Sequence, residues 1–319
     1  MNATIGGVTV SRLGLGAAQL GNLYRPVDDE TAAGAVDAAW KAGIRYFDTA
    51  PHYGLGLSER RLGAALRGRP RADYAISTKV GRLLEPSPET ADERDAEGFD
   101  VPAAYRRRWD FSRDGVLRSL ESSLERLGLD RVDIVYLHDP DDHPEQALTE
   151  GYPALHELRS QGVVGAIGAG MNQWQLPARF VRETDIDVVM LAGRYTLLEQ
   201  PAHAEFLPLC AERGVAVVAA GVFNSGLLAA DRPAPGATYN YTAAPAALIA
   251  RAEWLAGVCE PHGVTLPQAA IAYPLRHPAV RCVVVGARSP AQVRRNAELY
   301  AAGVPDALWE ELTAEGLLP

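Results

Sequence analysis

The sequence predicts an α/β fold, a closed (β/α)₈ barrel, and three observations support this prediction. Short β-branched runs alternate with longer helical patterns along the whole chain, as expected for repeated βα units around a parallel sheet. Eight strand candidates alternate with eight helix candidates, which is the number that closes such a barrel. No low-complexity linker divides the 319 residues. We therefore expect residues 1–319 to form a single domain.

The strand candidates are short and rich in β-branched residues, whereas the helix candidates have apolar residues at helical spacing. In chain order the predicted strands are Leu13–Ala17, Ile44–Phe47, Tyr74–Thr78, Val132–Leu137, Val164–Gly168, Val188–Leu191, Val215–Ala219 and Cys282–Val285. The predicted helices lie near 28–42, 58–67, 112–127, 144–160, 173–183, 199–213, 244–275 and 290–301. Ser58 and Ser112 begin two of these helices, and Gly128 is a natural stop. This order of elements is that of a TIM barrel.

Two connections are much longer than the loops usually found between such elements. Residues 81–111 contain the charged stretch TADERDAEGFD and the basic and aromatic stretch YRRRWDF. Residues 221–243 are rich in Gly, Pro and Ala. Long loops in a compact domain are usually lids or binding loops, so we expect both to lie at the C-terminal mouth of the barrel.

The composition is that of a globular protein with a large core, since 47% of the residues are hydrophobic and 22% are charged. The formal net charge of −9 is spread along the chain, which argues against a nucleic-acid or anionic-membrane partner and favours a small ligand. The N-terminus lacks the features of a signal peptide, and no apolar run approaches the roughly 20 residues of a membrane span. We expect a cytoplasmic protein, and the sequence does not predict its oligomeric state.

Neither the cysteines nor the most acidic loop predicts a metal or disulfide site. Cys210, Cys259 and Cys282 lie far apart with no CxxC pair, which argues against a disulfide framework and a thiolate zinc site. The cluster HDPDDH at 138–143 gathers histidines and aspartates, but its carboxylates crowd a short loop before Pro144, where helix capping is the more typical role. We therefore predict no bound metal.

Polar side chains follow three successive strand candidates. Asp48 ends IRYFD, Tyr53 follows in TAPHYG, Lys79 ends YAISTK and His138 ends VDIVYLH. Because the loops after the strands of a parallel barrel converge on one mouth, these four side chains are candidates for a catalytic group. Each alone has a structural explanation, such as capping a turn or plugging the barrel end.

Together the four side chains form an acid/base group. The pKa of a tyrosine lies near 10, but an ammonium within about 4–6 Å favours the phenolate and lowers that pKa, a role that suits Lys79. A carboxylate is needed to keep a buried lysine charged, which gives Asp48 its role. His138 would orient a carbonyl or hydroxyl oxygen and share its proton.

The segment GIRYFDTAPHYGLGLSERRLGAAL resembles the N-terminal signature of the aldo-keto reductase family, and the STK and YLH strand ends match that family's other catalytic positions. The resemblance extends over essentially the whole chain. It implies a nicotinamide cofactor and reversible hydride transfer. It also implies that Tyr53 is the general acid in reduction and the general base in oxidation.

The resemblance implies the cofactor-binding residues as well. The turn after the first strand would approach the nicotinamide ribose, GVFNSGLL resembles a loop that covers the pyrophosphate, and VVGARSPAQVRRN resembles an adenosine-binding stretch that opens a helix. The predicted cofactor residues are Gly16, Ala17, Asn172, Asn224, Ser225, Gly226, Gly286, Arg288, Ser289, Gln292 and Asn296.

Three positions depart from the family's nicotinamide site. Met171 stands where a serine usually precedes Asn172, and Ala192 replaces a glutamine that helps to hold the carboxamide. Ala220 replaces the tyrosine that stacks on the nicotinamide ring, so we expect Tyr195 or Phe223 to stack instead.

The cofactor prediction is NAD, with NADP as the alternative. An arginine that often grips the 2′-phosphate of NADP corresponds here to Gln292. The stretch GLGAAQ at 14–19 imitates the start of the GxGxxG motif, but Gln19 occupies the third glycine position. A Rossmann domain is therefore a weak alternative.

The stretches AAGVFNSGLL, HDPD and DFSRDGVLRSLESSLERLGLDRVD resemble a narrower bacterial and plant branch of sugar dehydrogenases that also includes a pyridoxal dehydrogenase. This implies oxidation of C1 of an aldose, such as L-fucose, L-galactose or D-arabinose, to the lactone. His52, Trp109 and Asp139 are the predicted substrate contacts, since an indole stacks on a sugar or an aromatic aldehyde. The alternatives are a pyridoxal dehydrogenase, an NADPH-dependent reductase of aldehydes or ketones, and a nicotinamide-binding regulatory subunit.

Overall fold

A computed structural model describes residues 2–234, 236–240 and 242–319. Eight parallel strands form a closed barrel, in which each strand pairs with the next along the chain and the last pairs with the first. The predicted (β/α)₈ barrel is therefore confirmed. Its strands are β1 (Leu13–Gly16), β2 (Tyr46–Asp48), β3 (Ala75–Val80), β4 (Ile134–His138), β5 (Ala166–Met171), β6 (Val188–Ala192), β7 (Ala216–Ala220) and β8 (Val280–Gly286).

Helices cover the outside of the barrel. They are α1 (Asp29–Lys41), α2 (Leu57–Leu66), α3 (Arg113–Leu127), α4 (Tyr152–Ser160), α5 (Gln175–Glu183), α6 (Phe206–Arg213), α7 (Ala246–Cys259), α8 (Leu266–Ala272), α9 (Pro290–Ala301) and α10 (Asp306–Ala314). A short helix at Pro144–Gln146 and a π-helical turn at Ala147–Gly151 lead into α4. None of the described helices combines the length and the apolar character needed to cross a membrane.

Local sequence signals explain where α3 begins and ends. The Ser112 hydroxyl accepts a hydrogen bond from the Gly115 N–H at 3.1 Å, and Gly128 ends the helix in the left-handed conformation. Both signals were visible in the sequence, and the predicted bounds of 112–127 differ from the observed ones by a single residue.

The helix predicted over 244–275 is wrong as one element, because the chain turns between α7 and α8. Gly263 adopts a φ of +67° there, and Thr265 with Gln268 forms a capping box that begins α8. The helix predicted over 199–213 begins later, at Phe206, because Gln200 instead donates to the Thr196 carbonyl within a turn.

The connection 81–111 contains secondary structure of its own. Residues Arg82–Pro86 pair with Tyr105–Trp109 in an antiparallel hairpin that stands at the mouth of the barrel after β3. The connection 221–243 follows β7 and pairs Thr238–Tyr239 with Thr242–Ala243. Its residues 235 and 241 lie outside the described residues.

An N-terminal hairpin closes the opposite end of the barrel and was not predicted. Its strands Asn2–Ile5 and Val8–Ser11 pair in antiparallel fashion, and Ile5 packs among the first residues of several barrel strands. The Gly6-Gly7 pair between two β-branched runs is the sequence signal for this hairpin. The last helix, α10, was also missed.

Candidate active site

The four predicted catalytic side chains meet at the mouth of the barrel. The Lys79 ammonium donates to Asp48 Oδ2 at 2.7 Å, to the Thr49 carbonyl at 2.9 Å and to the Tyr53 hydroxyl at 3.1 Å. The ring of His138 stands nearly perpendicular to that of Tyr53, with 6.0 Å between the ring centroids. All four line one cavity of about 740 Å³.

The turn that carries Tyr53 is fixed by a close approach of two glycines. Gly54 has a φ of +62°, and a Cβ atom at this position would lie 2.2 Å from the Gly21 carbonyl oxygen. The Tyr53 N–H also donates to the Ala50 carbonyl at 3.1 Å. The backbone of Tyr53 is therefore held between the end of β2 and the turn after β1.

A chain of buried hydroxyl groups supports Asp48 from inside the barrel. The Ser77 hydroxyl donates to Asp48 Oδ1 at 2.7 Å and lies 3.0 Å from the Tyr46 hydroxyl, which in turn lies 3.0 Å from that of Tyr136. Because the Ser77 hydroxyl donates its only proton to Asp48, the Tyr46 hydroxyl must donate to Ser77. The Tyr136 hydroxyl must in turn donate to Tyr46. Both Asp48 oxygens thus have donors before any ligand binds.

Burial and charge act in opposite directions on the two central groups. Burial lowers the pKa of Lys79, but the Asp48 carboxylate and Tyr53 raise it by more, so Lys79 is an ammonium. Burial raises the pKa of Tyr53 to about 12, although Lys79 opposes this shift. Lys79 thus acts in the expected direction, but in this state desolvation outweighs it and Tyr53 is a neutral phenol at pH 7.

Both histidines of the cavity are neutral. Burial, together with the charges of Arg82 and Lys79, holds the pKa of His138 well below its usual range. Burial, with Arg82 and Arg107, lowers the pKa of His52 to about 2. Arg107 Nε donates to His52 Nδ1 at 2.7 Å, so the proton of His52 sits on Nε2.

Of the predicted substrate contacts, His52 and Asp139 line the cavity and Trp109 does not. The Arg82 guanidinium covers the ring of Trp109 at 4.1 Å, and Phe111 stacks beside it with 6.4 Å between centroids. The predicted substrate contact of Trp109 is therefore replaced by a supporting role beneath Arg82.

A second cavity of about 780 Å³ adjoins the first and shares Asn172, Gly286 and Gln19 with it. Most of the predicted cofactor residues line this second cavity, namely Asn172, Asn224, Ser225, Gly226, Gly286, Arg288, Gln292 and Asn296. Gly16 lines the first cavity. The two cavities together form a cleft that leads from Tyr53 to the N-terminus of α9.

Two predicted cofactor residues do not line either cavity. Ala17 is fully buried, and its carbonyl accepts a hydrogen bond from the Ser58 hydroxyl at 2.7 Å. The Ser289 hydroxyl caps α9 by accepting from the Gln292 N–H at 3.3 Å. Both residues shape the backbone near the cleft rather than its surface.

The cleft suits a dinucleotide. Three polar atoms of its lining are buried without a hydrogen-bond partner, namely Gln19 Oε1, Asn224 Oδ1 and Arg288 Nη1. Buried polar atoms in proteins are nearly always paired, so these atoms are suited to a polar ligand. Asn224 and Ser225 both adopt positive φ angles, which opens the backbone of this loop toward the cavity.

Neither aromatic residue expected to stack on the nicotinamide lines the Tyr53 cavity. Tyr195 is buried elsewhere, where it stacks on His203 with 6.1 Å between centroids, so this expectation is wrong. Phe223 lines only the second cavity.

The acidic loop at 138–143 caps no helix, contrary to expectation. Asp139 pairs with Arg82, and Asp141 accepts a hydrogen bond from Gln173 at 3.1 Å. The helix at Pro144–Gln146 begins without a side-chain cap. Within the described part of the chain, no group of three or more histidine, cysteine, aspartate or glutamate residues could hold a metal ion.

Several residues of the site were missed in the sequence. Arg82, Glu97 and Phe99 line the Tyr53 cavity, and Arg25, Arg194 and Arg295 line the second cavity. Arg295 lies in α9, and the others belong to loops or to the hairpin of the connection 81–111, here called the third-loop hairpin. The basic stretch YRRRWDF marked this hairpin as unusual, but no local pattern reveals which side chains face the cavity.

Comparison with known proteins agrees with this geometry. Residues 12–314 match the Aldo/keto reductase family. The chain is 50% identical to D-threo-aldose 1-dehydrogenase of a Pseudomonas species, over 99% of this chain and 97% of that one. It is 44% identical to pyridoxal 4-dehydrogenase of Microbacterium luteolum, over 98% and 96%. A solved aldo-keto reductase of Bacillus halodurans in its holo form superposes with a TM-score of 0.75 at 28% identity, over 100% and 96%.

Proposed function

This chain belongs to the aldo/keto reductase family and is an oxidoreductase, and we propose that it oxidises C1 of an aldose to the lactone with a nicotinamide cofactor. The observation that carries the proposal is the buried Asp48, Lys79 and Tyr53 chain at the mouth of a cleft that fits a dinucleotide and a small substrate. The similarity to D-threo-aldose 1-dehydrogenase supports an aldose, such as L-fucose, L-galactose or D-arabinose.

The protein groups move one proton in this reaction. The Tyr53 phenolate takes the proton of the C1 hydroxyl, and the electron pair of that O–H bond forms the C1 carbonyl. A bound nicotinamide would supply the acceptor for the hydride of C1. Lys79 stabilises the phenolate, and Asp48 keeps Lys79 charged. His138 is neutral and hydrogen-bonds the same substrate oxygen.

Two features of the far end of the cleft bear on the cofactor. Gln292 stands where an arginine would grip a 2′-phosphate, which favours NAD. Arg25 and Arg288 line the same end, and the unpartnered Arg288 Nη1 favours NADP as the second candidate. We propose NAD as the preferred cofactor, with measurable activity with NADP.

The second candidate substrate is pyridoxal. Phe99 lines the cavity 6.1 Å from the Tyr53 ring, at an angle of 32° between the ring planes, so it offers an aromatic face to a pyridine ring. The 44% identity to pyridoxal 4-dehydrogenase supports this candidate.

The decisive experiment assays aldoses, pyridoxal and simple aldehydes with NAD(H) and NADP(H), for the wild type and for Tyr53→Phe. We expect the highest kcat/KM with an aldose and NAD. Tyr53→Phe should lose at least about 10²-fold in rate, because acid/base catalysis typically contributes 10²–10⁴, while its affinity for NAD is unchanged. Tyr105→Phe, a change of the same kind in the exposed hairpin, is the control.

Each alternative has its own outcome in this assay. A preference for NADPH with aldehydes would establish a reductase, and a preference for pyridoxal would establish the second candidate. Nucleotide binding without turnover of any substrate would indicate a regulatory subunit. Full activity of Tyr53→Phe would refute the proposed mechanism.

A further inference from the structure

Arg82 is fixed at the edge of the substrate cavity by the turn that precedes it. Gly81 has a φ of +100°, and a Cβ atom there would lie 2.0 Å from Cε1 of Phe111. The backbone of Gly81 therefore packs directly against the Phe111 ring, with no room for a side chain. Arg82 is only 8% exposed, yet it lines the same cavity as Tyr53 and His138.

The guanidinium of Arg82 is held on two sides and incompletely bonded. Its Nη2 donates to the Asp139 carboxylate, and its Cζ lies over the indole of Trp109, 4.1 Å from the ring centroid. Its Nε is buried without a hydrogen-bond partner. A guanidinium has five N–H donors in a fixed plane, so this one retains donor capacity that a bound ligand can use.

The charges around Arg82 favour a neutral ligand. Asp139 compensates the charge of Arg82, and Glu97 adds a second carboxylate to the same cavity. A free guanidinium would select a phosphate or a carboxylate, but a paired one beside another carboxylate has no excess positive charge to offer. Hydroxyl groups suit this pair, because one can accept from Arg82 while its neighbour donates to Asp139.

The pair also lies next to the reacting position. Asp139 Oδ2 is 3.6 Å from Nε2 of His138, the side chain that faces the substrate oxygen in the proposed mechanism. A ligand that bridges Arg82 and Asp139 therefore places its hydroxyl groups within a carbon or two of C1.

We propose that Arg82 and Asp139 form the specificity-determining pair of this enzyme, which binds two adjacent hydroxyl groups of an unphosphorylated sugar next to the carbon that is oxidised. This inference rests on the proposed function and adds the feature by which an aldose is distinguished from a simple alcohol or aldehyde and from a sugar phosphate.

The test compares kcat/KM for an aldose with that for its 2-deoxy and 3-deoxy analogues, in the wild type and in Arg82→Gln. In the wild type we expect the aldose to be favoured by about 10²-fold or more over at least one analogue, because the missing hydroxyl leaves buried polar groups unpaired. Arg82→Gln should reduce this ratio at least about tenfold. The same aldose phosphorylated at a hydroxyl remote from C1 should be a poor substrate of the wild type.

Arg106→Gln is the matched control, since Arg106 lies in the same hairpin but is exposed and pairs with Glu85. It should keep the wild-type ratio. Affinity for NAD, measured by fluorescence, checks the fold of both variants. If Arg82→Gln does not fold, Asp139→Asn is assayed with the same substrates instead. It should also reduce the ratio of kcat/KM between the aldose and its deoxy analogues.

The outcomes separate this inference from the proposed function. Unchanged discrimination in folded Arg82→Gln or Asp139→Asn, or efficient oxidation of the phosphorylated sugar, would overturn the role of the pair. Absence of aldose oxidation by the wild type would overturn the proposed function instead.

Discussion

At the scale of single residues, the site depends on the balance between desolvation and charge around Tyr53. Asp48 and Lys79 are almost fully buried, and Asp48 has donors on both oxygens from Ser77 and Lys79. The ammonium is thus held charged beside a phenol whose own pKa is raised by burial to about 12. The protonation state of Tyr53 favours proton donation near neutral pH and proton acceptance at alkaline pH.

This balance predicts different pH profiles for the two directions of the reaction. For a base with a pKa near 12, the phenolate fraction rises about tenfold per pH unit, so kcat/KM for oxidation should rise between pH 7 and pH 10. Reduction uses the phenol and should be nearly constant over this range. Burial and nearby cations hold the pKa values of His52 and His138 below this range, so neither histidine contributes.

Initial rates in both directions, for the wild type and Tyr53→Phe, would check these profiles. A flat oxidation profile, or an equal slope in Tyr53→Phe, would contradict the assignment of Tyr53 as the titrating base.

At the scale of elements, the turn after β2 positions Tyr53 through backbone contact. Its Gly54 approaches Gly21 so closely that neither glycine has room for a side chain. The Ser58 hydroxyl at the start of α2 ties the same region together by hydrogen bonds to Thr49 and to the Ala17 carbonyl. The geometry of the phenol is therefore a property of the two neighbouring βα connections.

Gly54→Ala should impair both stability and catalysis. The variant combines the strain of a positive φ, about 1 kcal/mol, with a clash against the Gly21 carbonyl, so we expect a loss of about 2–4 kcal/mol in the free energy of unfolding and at least tenfold in kcat. Urea denaturation and steady-state kinetics provide the measurements.

Gly68→Ala is the matched control, because Gly68 also has a positive φ, +82°, but has no atom within 4 Å of the added Cβ position. It should cost only the backbone strain and leave kcat unchanged. Equal effects of the two substitutions would show that the contact with Gly21 has no role.

At the scale of the whole molecule, the candidate active site and the packed N-terminal hairpin lie at opposite ends of the barrel. Its C-terminal mouth carries the polar cleft, and its other end is closed by the N-terminal hairpin, whose Ile5 is fully buried among strand beginnings such as Ala75 and Val188. Substitutions at the hairpin end should therefore change stability with little effect on activity.

Ile5→Ala should destabilise the protein by about 2–4 kcal/mol, because it removes a fully buried side chain and leaves a cavity. The kcat and KM of the folded enzyme should stay within about twofold of the wild type. Chemical denaturation and steady-state kinetics test both parts. Val163→Ala, at an exposed position, should change stability by less than about 0.5 kcal/mol. If fully folded Ile5→Ala loses kcat, the hairpin end and the active-site end of the barrel are coupled.

Much of the fold and the centre of the site was predictable from local patterns. A parallel barrel brings the C-terminal ends of its strands to one face, so Asp48, Lys79 and His138 had to meet once their strands were identified. The helix around 244–275 was misjudged because its apolar composition continues across the turn at Gly263, which hides the break. The third-loop hairpin was missed for a related reason, since pairing over a long connection has no short-range signal.

The sequence by itself determined the barrel and the three polar side chains Asp48, Lys79 and His138 that meet Tyr53, because these depend on hydrophobic period and on the position of polar residues at strand ends. Only the tertiary structure decided that Trp109 supports Arg82 rather than facing the cavity, and that Tyr195 is buried away from the cleft. It also decided the net shift in the pKa of Tyr53. Side-chain positions in loops and the balance of desolvation against charge are sums over residues distant in the sequence, so no local pattern encodes them.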